Sequence, residues 1–186
     1  GWAAMATAGA PRTTVCNSAN SPYSTYYGIS CHPLNQQQIA SLNLTACGLQ
    51  GTLPASLAAI NTLINIDVSV NMLTGSLPPE WSALRFLLRL HASNNTLNGT
   101  LPVTFSSMIS LLAFYCANNQ LSGTLPKEWS SLTSLLELVV SGNQISGHLP
   151  AQWKNLTSLQ NLQASNNQLT GTLPSEWSTL LSLAQL

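Results

Sequence analysis

Charge is scarce in this chain. Only 5% of its 186 residues are charged, with five basic and five acidic side chains, whereas roughly 25% is usual for a soluble protein. Nucleic-acid binding depends on clusters of Lys and Arg, so the composition argues against a nucleic-acid partner. The three histidines lie far apart and the glycines recur singly, so the sequence predicts no metal site, phosphate-binding loop or cofactor. No stretch approaches the ~20 apolar residues that span a bilayer.

The most regular feature that is present is a repeat of 24 residues without insertion or deletion. Its copies begin at Gly51, Gly75, Gly99, Gly123, Gly147 and Gly171. A fixed period of this length predicts a solenoid, because units too small to bury their own apolar faces must stack. The chain stops at Leu186, in the middle of a repeat's strand, whereas a solenoid ends in a polar cap. We therefore expect a piece of a longer protein.

Each copy carries apolar residues at the spacing of a strand. One copy runs Leu63, Ile66, Val68, Asn71 and Leu73, which resembles the leucine-rich repeat L-x-x-L-x-L-x-x-N/C-x-L. The apolar residues alternate around the middle pair, as in a strand with one buried face. The Leu-Pro that follows cannot lie within a helix. We predict a leucine-rich repeat solenoid of horseshoe or arc shape, with a parallel β-sheet on its concave face and extended and 3-10 segments on its convex face.

Several recurring positions are predicted to be structural. The turn after each strand carries Asn or Cys, and these side chains should be buried and satisfy backbone groups of the turn. This structural Asn/Cys column comprises Cys47, Asn71, Asn95, Asn119, Asn143 and Asn167. Cys116 occupies a small core position. The recurring Trp is interpreted as packing between repeats rather than as a ligand platform.

Two further cysteines, Cys16 and Cys31, bracket a polar loop directly before the first repeat. A cap closed by a Cys16–Cys31 disulfide would cover the open end of the first repeat and would imply an oxidising, extracytoplasmic compartment. We therefore divide the chain into a cap, residues 1–38, and leucine-rich repeats, residues 39–186. Acceptor sequons for N-glycosylation, relevant in a secretory route, occur at Asn43, Asn94, Asn98 and Asn155.

The full pattern LxGxLPxxW-x-x-L-x-x-L-x-x-L-x-x-S-x-N resembles the 24-residue, plant-type class of leucine-rich repeats, and the run from Tyr26 to Cys31 resembles the N-terminal cap of that class. Plant receptors usually carry Ile-Pro and Leu where this chain has Leu-Pro and Trp. The motif LPxEWSxLxSL is more similar to the promastigote surface antigens of kinetoplastid protozoa.

That resemblance implies a non-catalytic ectodomain for recognition or adhesion. It would be a cell-surface or secreted glycoprotein, anchored to the membrane through a segment absent from this chain. Two alternatives stay open: the ligand-binding ectodomain of a plant-type receptor-like kinase, and a secreted inhibitor of hydrolases.

Ligand recognition is expected at the variable, solvent-facing strand positions of the concave face. Two columns there hold Asp67, Arg89, His91, Tyr115, Glu137 and Val139. We predict a site for a protein or glycan ligand centred on Arg89, His91 and Tyr115, with Asp67 and Glu137 on its flanks. The alternative is that these positions tolerate any polar residue and that the charges pair diagonally.

An enzymatic role is not predicted. Asp67, His91 and Ser69 or Ser93 are the residue types of a nucleophilic triad. The serines belong to a repeated column, however, an open sheet excludes no water, and the sequence shows no loop suited to an oxyanion hole.

Overall fold

The computed structural model describes residues 28–32 and 35–186. The part of the predicted cap that contains Cys16 lies outside these residues. The Cys16–Cys31 disulfide and the division of the chain at residue 38 therefore stay predictions.

A short strand lies where apolar residues alternate in each of the five copies that begin at Gly51, Gly75, Gly99, Gly123 and Gly147, and further short strands lie before, between and after these. In chain order they are β1 (Ile29–His32), β2 (Asn35–Asn43), β3 (Gln50–Thr52), β4 (Asn65–Asp67), β5 (Met72–Thr74), β6 (Arg89–His91), β7 (Ala113–Tyr115), β8 (Glu137–Val139), β9 (Ser146–Gly147), β10 (Asn161–Gln163) and β11 (Gln168–Leu169). Within the described residues, seven of them form the main sheet in the order β1-β2-β4-β6-β7-β8-β10. The pairs β3–β5 and β9–β11 form two smaller parallel ladders.

The predicted parallel sheet is confirmed from β2 to β10, where equivalent residues of neighbouring repeats lie side by side, as Leu90 and Phe114 do. The sequence did not reveal that β1 adds to this sheet antiparallel to β2. Because β2 also pairs with β4, it joins the end of the predicted cap to the first repeat.

The opposite side of each repeat holds a short 3-10 helix. The six helices within the described residues are Ala55–Ala59, Pro79–Ala83, Val103–Ser107, Lys127–Ser131, Ala151–Asn155 and Ser175–Thr179. Each begins directly after the Pro of a Leu-Pro pair, whose extended backbone stands at the N-cap. The predicted 3-10 segments are thus confirmed, and each begins two residues before the position of the recurring Trp.

The aromatic column packs between repeats. Trp81, Trp129 and Trp153 are fully buried, and each indole N–H donates to a Pro carbonyl one repeat earlier, for example from Trp129 to Pro102 at 3.0 Å. A buried indole is stable only when its N–H has a partner. The Trp therefore joins neighbouring repeats by a hydrogen bond as well as by apolar contact.

Each Asn of the column connects its own turn to the turn of the preceding repeat. Asn119 is buried; its amide group donates to the carbonyls of Ala92, Cys116 and Ala117, and its Oδ1 accepts from the N–H of Leu97 at 3.0 Å. Equivalent bonds are made by Asn71, Asn95, Asn143 and Asn167. These side chains satisfy backbone groups that the short strands leave unpaired.

The expectation that Cys47 shares this buried position is wrong. Cys47 is an exposed free thiol, and its Sγ lies 3.5 Å from the carbonyl oxygen of Thr45. An Asn of the column bonds to the preceding turn, as Asn71 does to Leu44. Cys47 belongs to the first such turn, and a thiol is too weak a donor to replace the amide. Cys116, by contrast, is fully buried as predicted.

The recurring Gly is required by a close approach between repeats. Gly123 has φ +76°, and a Cβ at this position would lie 2.8 Å from Cγ2 of Thr100 in the preceding repeat. Both the backbone conformation and the contact exclude a side chain. Successive repeats can therefore stack closely at the turn that follows each strand.

Candidate ligand-binding face

The solvent side of the main sheet presents two side chains per strand. In β6 the middle residue, Leu90, points into the core, whereas Arg89 and His91 face solvent. We call this side the open face; it is the predicted concave face. The parallel register places His91 between Asp67 and Tyr115, and Arg89 between Asn65 and Ala113.

Asp67 is held by hydrogen bonds at one end of the site. Its Oδ1 accepts from the N–H and the hydroxyl of Ser69, and its Oδ2 lies 3.8 Å from Nδ1 of His91. Burial alone would raise the pKa of Asp67. The hydrogen bonds from Ser69, with smaller contributions from Thr45 and from the attraction of His91, outweigh burial, and the pKa of Asp67 is lowered. Asp67 is therefore an anion at neutral pH.

Tyr115 connects this end of the site to Glu137. The rings of His91 and Tyr115 lie 4.4 Å apart between centroids, tilted by 57°, and the Tyr115 hydroxyl donates to Oε2 of Glu137. Burial and this bond raise the pKa of Tyr115 to about 12. Asp67, His91, Tyr115 and Glu137 thus form a continuous row across four strands, which we call the polar row.

Arg89 lies next to the polar row and is free. It is exposed, and it makes no hydrogen bond or ion pair to any residue that the structure describes. Its neighbours are the short side chain of Ala113 and Asn65, whose buried Oδ1 has no partner. The expected diagonal pairing of charges is therefore not observed at Arg89. Its guanidinium keeps five N–H donors for a ligand.

Val139 does not offer the contact surface that was predicted for it. It lies on the open face, but only 8% of it is exposed. Tyr115 and Gln163 flank it on the neighbouring strands, and both are longer side chains. The accessible part of the site consequently comprises Arg89, His91 and Tyr115, with the carboxylates of Asp67 and Glu137 beside them.

The serine hydroxyls on this face are not placed for nucleophilic catalysis. Ser69 donates to Asp67 instead of to His91, and Oγ of Ser93 accepts from the N–H of Ala117. A serine nucleophile needs its hydroxyl bonded to a general base. Neither Ser69 nor Ser93 is bonded in this way to His91.

A shallow groove of about 690 Å³ lies on the side of the 3-10 helices. Its walls repeat the same positions in successive copies, Leu101, Leu125 and Leu149 among them. The groove is therefore a consequence of the stacking of the repeats. The open face is the stronger candidate, because its side chains differ from strand to strand.

The four sequons occupy exposed positions. Asn43 lies at the end of β2 on the open face, and its Oδ1 accepts from the N–H and hydroxyl of Thr45. Oδ1 of Asn94 accepts from the amide of Asn118 in the next repeat. Glycosylation at these positions, including Asn98 and Asn155, stays a prediction.

Comparisons with known proteins define the class of this chain. A profile described as Leucine Rich Repeat matches residues 86–108, 134–156 and 158–180. The ectodomain of BIR2 from Arabidopsis thaliana is 30% identical, with a TM-score of 0.71 and a match covering 88% of each chain. The chain belongs to the leucine-rich repeat family.

Two longer plant structures are also similar. The leucine-rich repeat ectodomain of the receptor kinase GASSHO1/SCHENGEN3 from Arabidopsis thaliana, in complex with CASPARIAN STRIP INTEGRITY FACTOR 2, is 29% identical with a TM-score of 0.85; the match covers 91% of this chain and 20% of that one. The ectodomain of the Arabidopsis receptor kinase HAESA, in complex with an IDA peptide hormone ligand, is 30% identical with a TM-score of 0.76, covering 86% and 31%.

This chain thus spans about a fifth to a third of those two receptor ectodomains. No curated protein matches it, and the resemblance to kinetoplastid surface antigens finds no support in the similar structures. Among the described residues, no helix is long and apolar enough to cross a membrane.

Proposed function

We propose that this chain is a ligand-binding, extracellular segment of a receptor-type leucine-rich repeat protein, and that its open face binds a peptide or an extended segment of a protein. The observation that carries the proposal is Arg89, a free guanidinium beside the polar row on a surface that is otherwise nearly uncharged. Two of the similar plant ectodomains belong to receptor kinases, and each of these is in complex with a named ligand. The proposal therefore favours the receptor alternative over a surface antigen.

The size of the site fits a short stretch of extended chain. Neighbouring strands lie about 4.8 Å apart, so the four strands that carry the polar row span roughly 14 Å. An extended peptide advances about 3.3 Å per residue, so about four residues would cross the row. Because the side chains of an extended peptide alternate between two faces, about two of these residues would point at the polar row and the others away from it.

The chemistry of these side chains suggests the residues of the ligand. Arg89 would take a carboxylate in a bidentate pair, which is stronger than a neutral hydrogen bond. The rings of His91 and Tyr115 offer a flat contact for an apolar or aromatic side chain. Asp67 and Glu137 already accept hydrogen bonds within the protein, and they would favour donors in the ligand on either side.

The proposal is tested by selecting binders from a randomised linear peptide library on the purified chain. Arg89→Ala and Tyr115→Ala should each weaken the selected peptides by about tenfold or more, which corresponds to ~1.4 kcal/mol. Lys154→Ala is the matched control, because Lys154 is an exposed cation on a 3-10 helix. Peptides that bind the Arg89 and Tyr115 variants as tightly as the parent chain would place the binding surface elsewhere.

A further inference from the structure

Two large apolar side chains are exposed on adjacent repeats where the fold does not need them. Phe86 is 67% exposed and Ile109 is 59% exposed. The position of Phe86 holds a hydroxyl side chain in every other copy, namely Thr62, Ser110, Ser134, Ser158 and Ser182. The position of Ile109 holds Asn61, Arg85, Thr133, Thr157 and, as the one apolar exception, Leu181. Stacking of the repeats therefore proceeds equally well with polar residues at both positions.

These residues lie at the edge of the candidate site. Phe86 lies between the 3-10 helix Pro79–Ala83 and β6, and Ile109 lies between the helix Val103–Ser107 and β7. Those two strands carry Arg89, His91 and Tyr115. The apolar pair is consequently found shortly before the same two strands whose open face holds the centre of the proposed site.

Arg85 adds a second free cation at this edge. It is exposed, and like Arg89 it makes no hydrogen bond through its side chain and no ion pair to any described residue. Arg85 and Arg89 are two of only five basic residues in the chain, and they flank Phe86 in the sequence. Exposed, unpaired cations beside exposed apolar groups complement a binding partner whose own surface is both acidic and apolar.

The patch is too small to hold a partner by itself. Two side chains cover at most a few hundred Å², whereas a stable complex buries about 800 Å² on each partner. The patch therefore gains a role only as a continuation of a larger contact, and the open face adjoins it. A second copy of this chain is disfavoured as the occupant, since the chain has only five acidic residues and two of them, Asp67 and Glu137, belong to the polar row.

We propose that Arg85, Phe86 and Ile109 form an edge subsite for the ligand of the open face. A peptide or protein segment bound over β6 and β7 continues past the start of these strands. It places an aliphatic or aromatic side chain against Phe86 and Ile109 and a carboxylate near Arg85. This inference rests on the proposed function, and it adds that the ligand is acidic and apolar at one end.

The test compares a randomised linear peptide library selected on the parent chain with the same library selected on a Phe86→Ser/Ile109→Thr variant. Both replacements are residues that other copies carry at these positions, so the melting temperature should not fall. Leu181→Thr is the matched control, because Leu181 occupies the position of Ile109 in the last copy and is also exposed. Peptides selected on the parent should share an acidic residue near an apolar one and should bind the double variant about tenfold more weakly, with no change for Leu181→Thr.

Each other outcome is decisive. Equal affinity for the parent and the double variant, together with loss on Arg89→Ala, would overturn the edge subsite and leave the open face as the binding site. Loss on the double variant without any effect of Arg89→Ala or Tyr115→Ala would overturn the continuity between the two surfaces. Selection that enriches no sequence on the parent would overturn both proposals.

Discussion

Replacing Asn119 by Ala tests how the repeats are held together. The amide group of Asn119 bonds the carbonyl of Ala92 at 3.0 Å, and its Oδ1 accepts the N–H of Leu97 at 3.0 Å. Leu97 is fully buried, and its N–H has no other partner in the described structure. The substitution therefore removes two well-formed hydrogen bonds and leaves one buried donor unsatisfied.

The magnitude follows from these losses. Loss of the bond to Ala92 costs about 1 kcal/mol, and leaving the N–H of Leu97 buried without a partner costs about 1–3 kcal/mol. We expect Asn119→Ala to lower the free energy of unfolding by about 2–4 kcal/mol in a urea titration. Asn61→Ala is the control, since Asn61 is exposed and forms no side-chain hydrogen bond; its change should stay within about 0.5 kcal/mol.

An isosteric variant separates hydrogen bonding from packing. Asn119→Asp keeps the shape and the acceptor, but it directs carboxylate oxygen at the carbonyls of Ala92 and Cys116. It should destabilise at least as much as Ala at neutral pH, because a buried charge then faces like dipoles. A loss below about 1 kcal/mol for both variants, or equal to that of Asn61→Ala, would refute the view that this column connects the turns.

Three further predictions concern the backbone conformation of Val70, the reactivity of the two thiols and the stability of the fold at low pH. Val70 has a φ of +57°, which strains a β-branched residue. Because Asn94 takes the same conformation, Val70→Asn should raise the free energy of unfolding by about 0.5–1 kcal/mol. An unchanged urea midpoint would contradict this. Iodoacetamide should alkylate native Cys47 and spare Cys116, because burial raises the pKa of the Cys116 thiol to about 12; mass spectrometry showing equal modification would contradict it. The pKa of Asp67 is lowered in the fold, so its ionised form stabilises the protein fully above the unfolded value of about 3.9 and progressively less as the pH falls through the lower folded value. Melting temperatures measured below pH 4 should depend less on pH in Asp67→Asn than in the parent.

Much of the fold was predictable because the same local pattern is repeated at a fixed spacing. The alternation around Ile66 and Val68 specifies a strand with one buried face. The Leu-Pro pair specifies where the chain passes to the 3-10 helix on the opposite side of the repeat. The antiparallel β1 was not predictable, since it lies before the repeats and carries none of their pattern. The exposure of Cys47 also differs from expectation, because repeat position does not say whether an earlier turn exists to receive the side chain.

The candidate site was predictable in position but not in its internal contacts. Counting from the Asn column places Arg89, His91 and Tyr115 on one face, and the structure shows them on adjacent strands. Counting does not say that Tyr115 donates to Glu137, that Val139 is covered, or that Arg89 has no partner. Those facts depend on the direction in which each side chain leaves its strand and on what its neighbours occupy.

The sequence by itself determined the class of fold, the period of stacking and the two columns from which a ligand can be recognised. It could do so because each repeat imposes the same short-range constraints on its backbone. Only the tertiary structure decided which residues of those columns are engaged and which are free. Side chains 22 to 24 residues apart in sequence become neighbours only when strands about 4.8 Å apart are brought into register. Contacts between repeats therefore decide which charged and hydrogen-bonding groups are used within the protein and which remain available to a ligand.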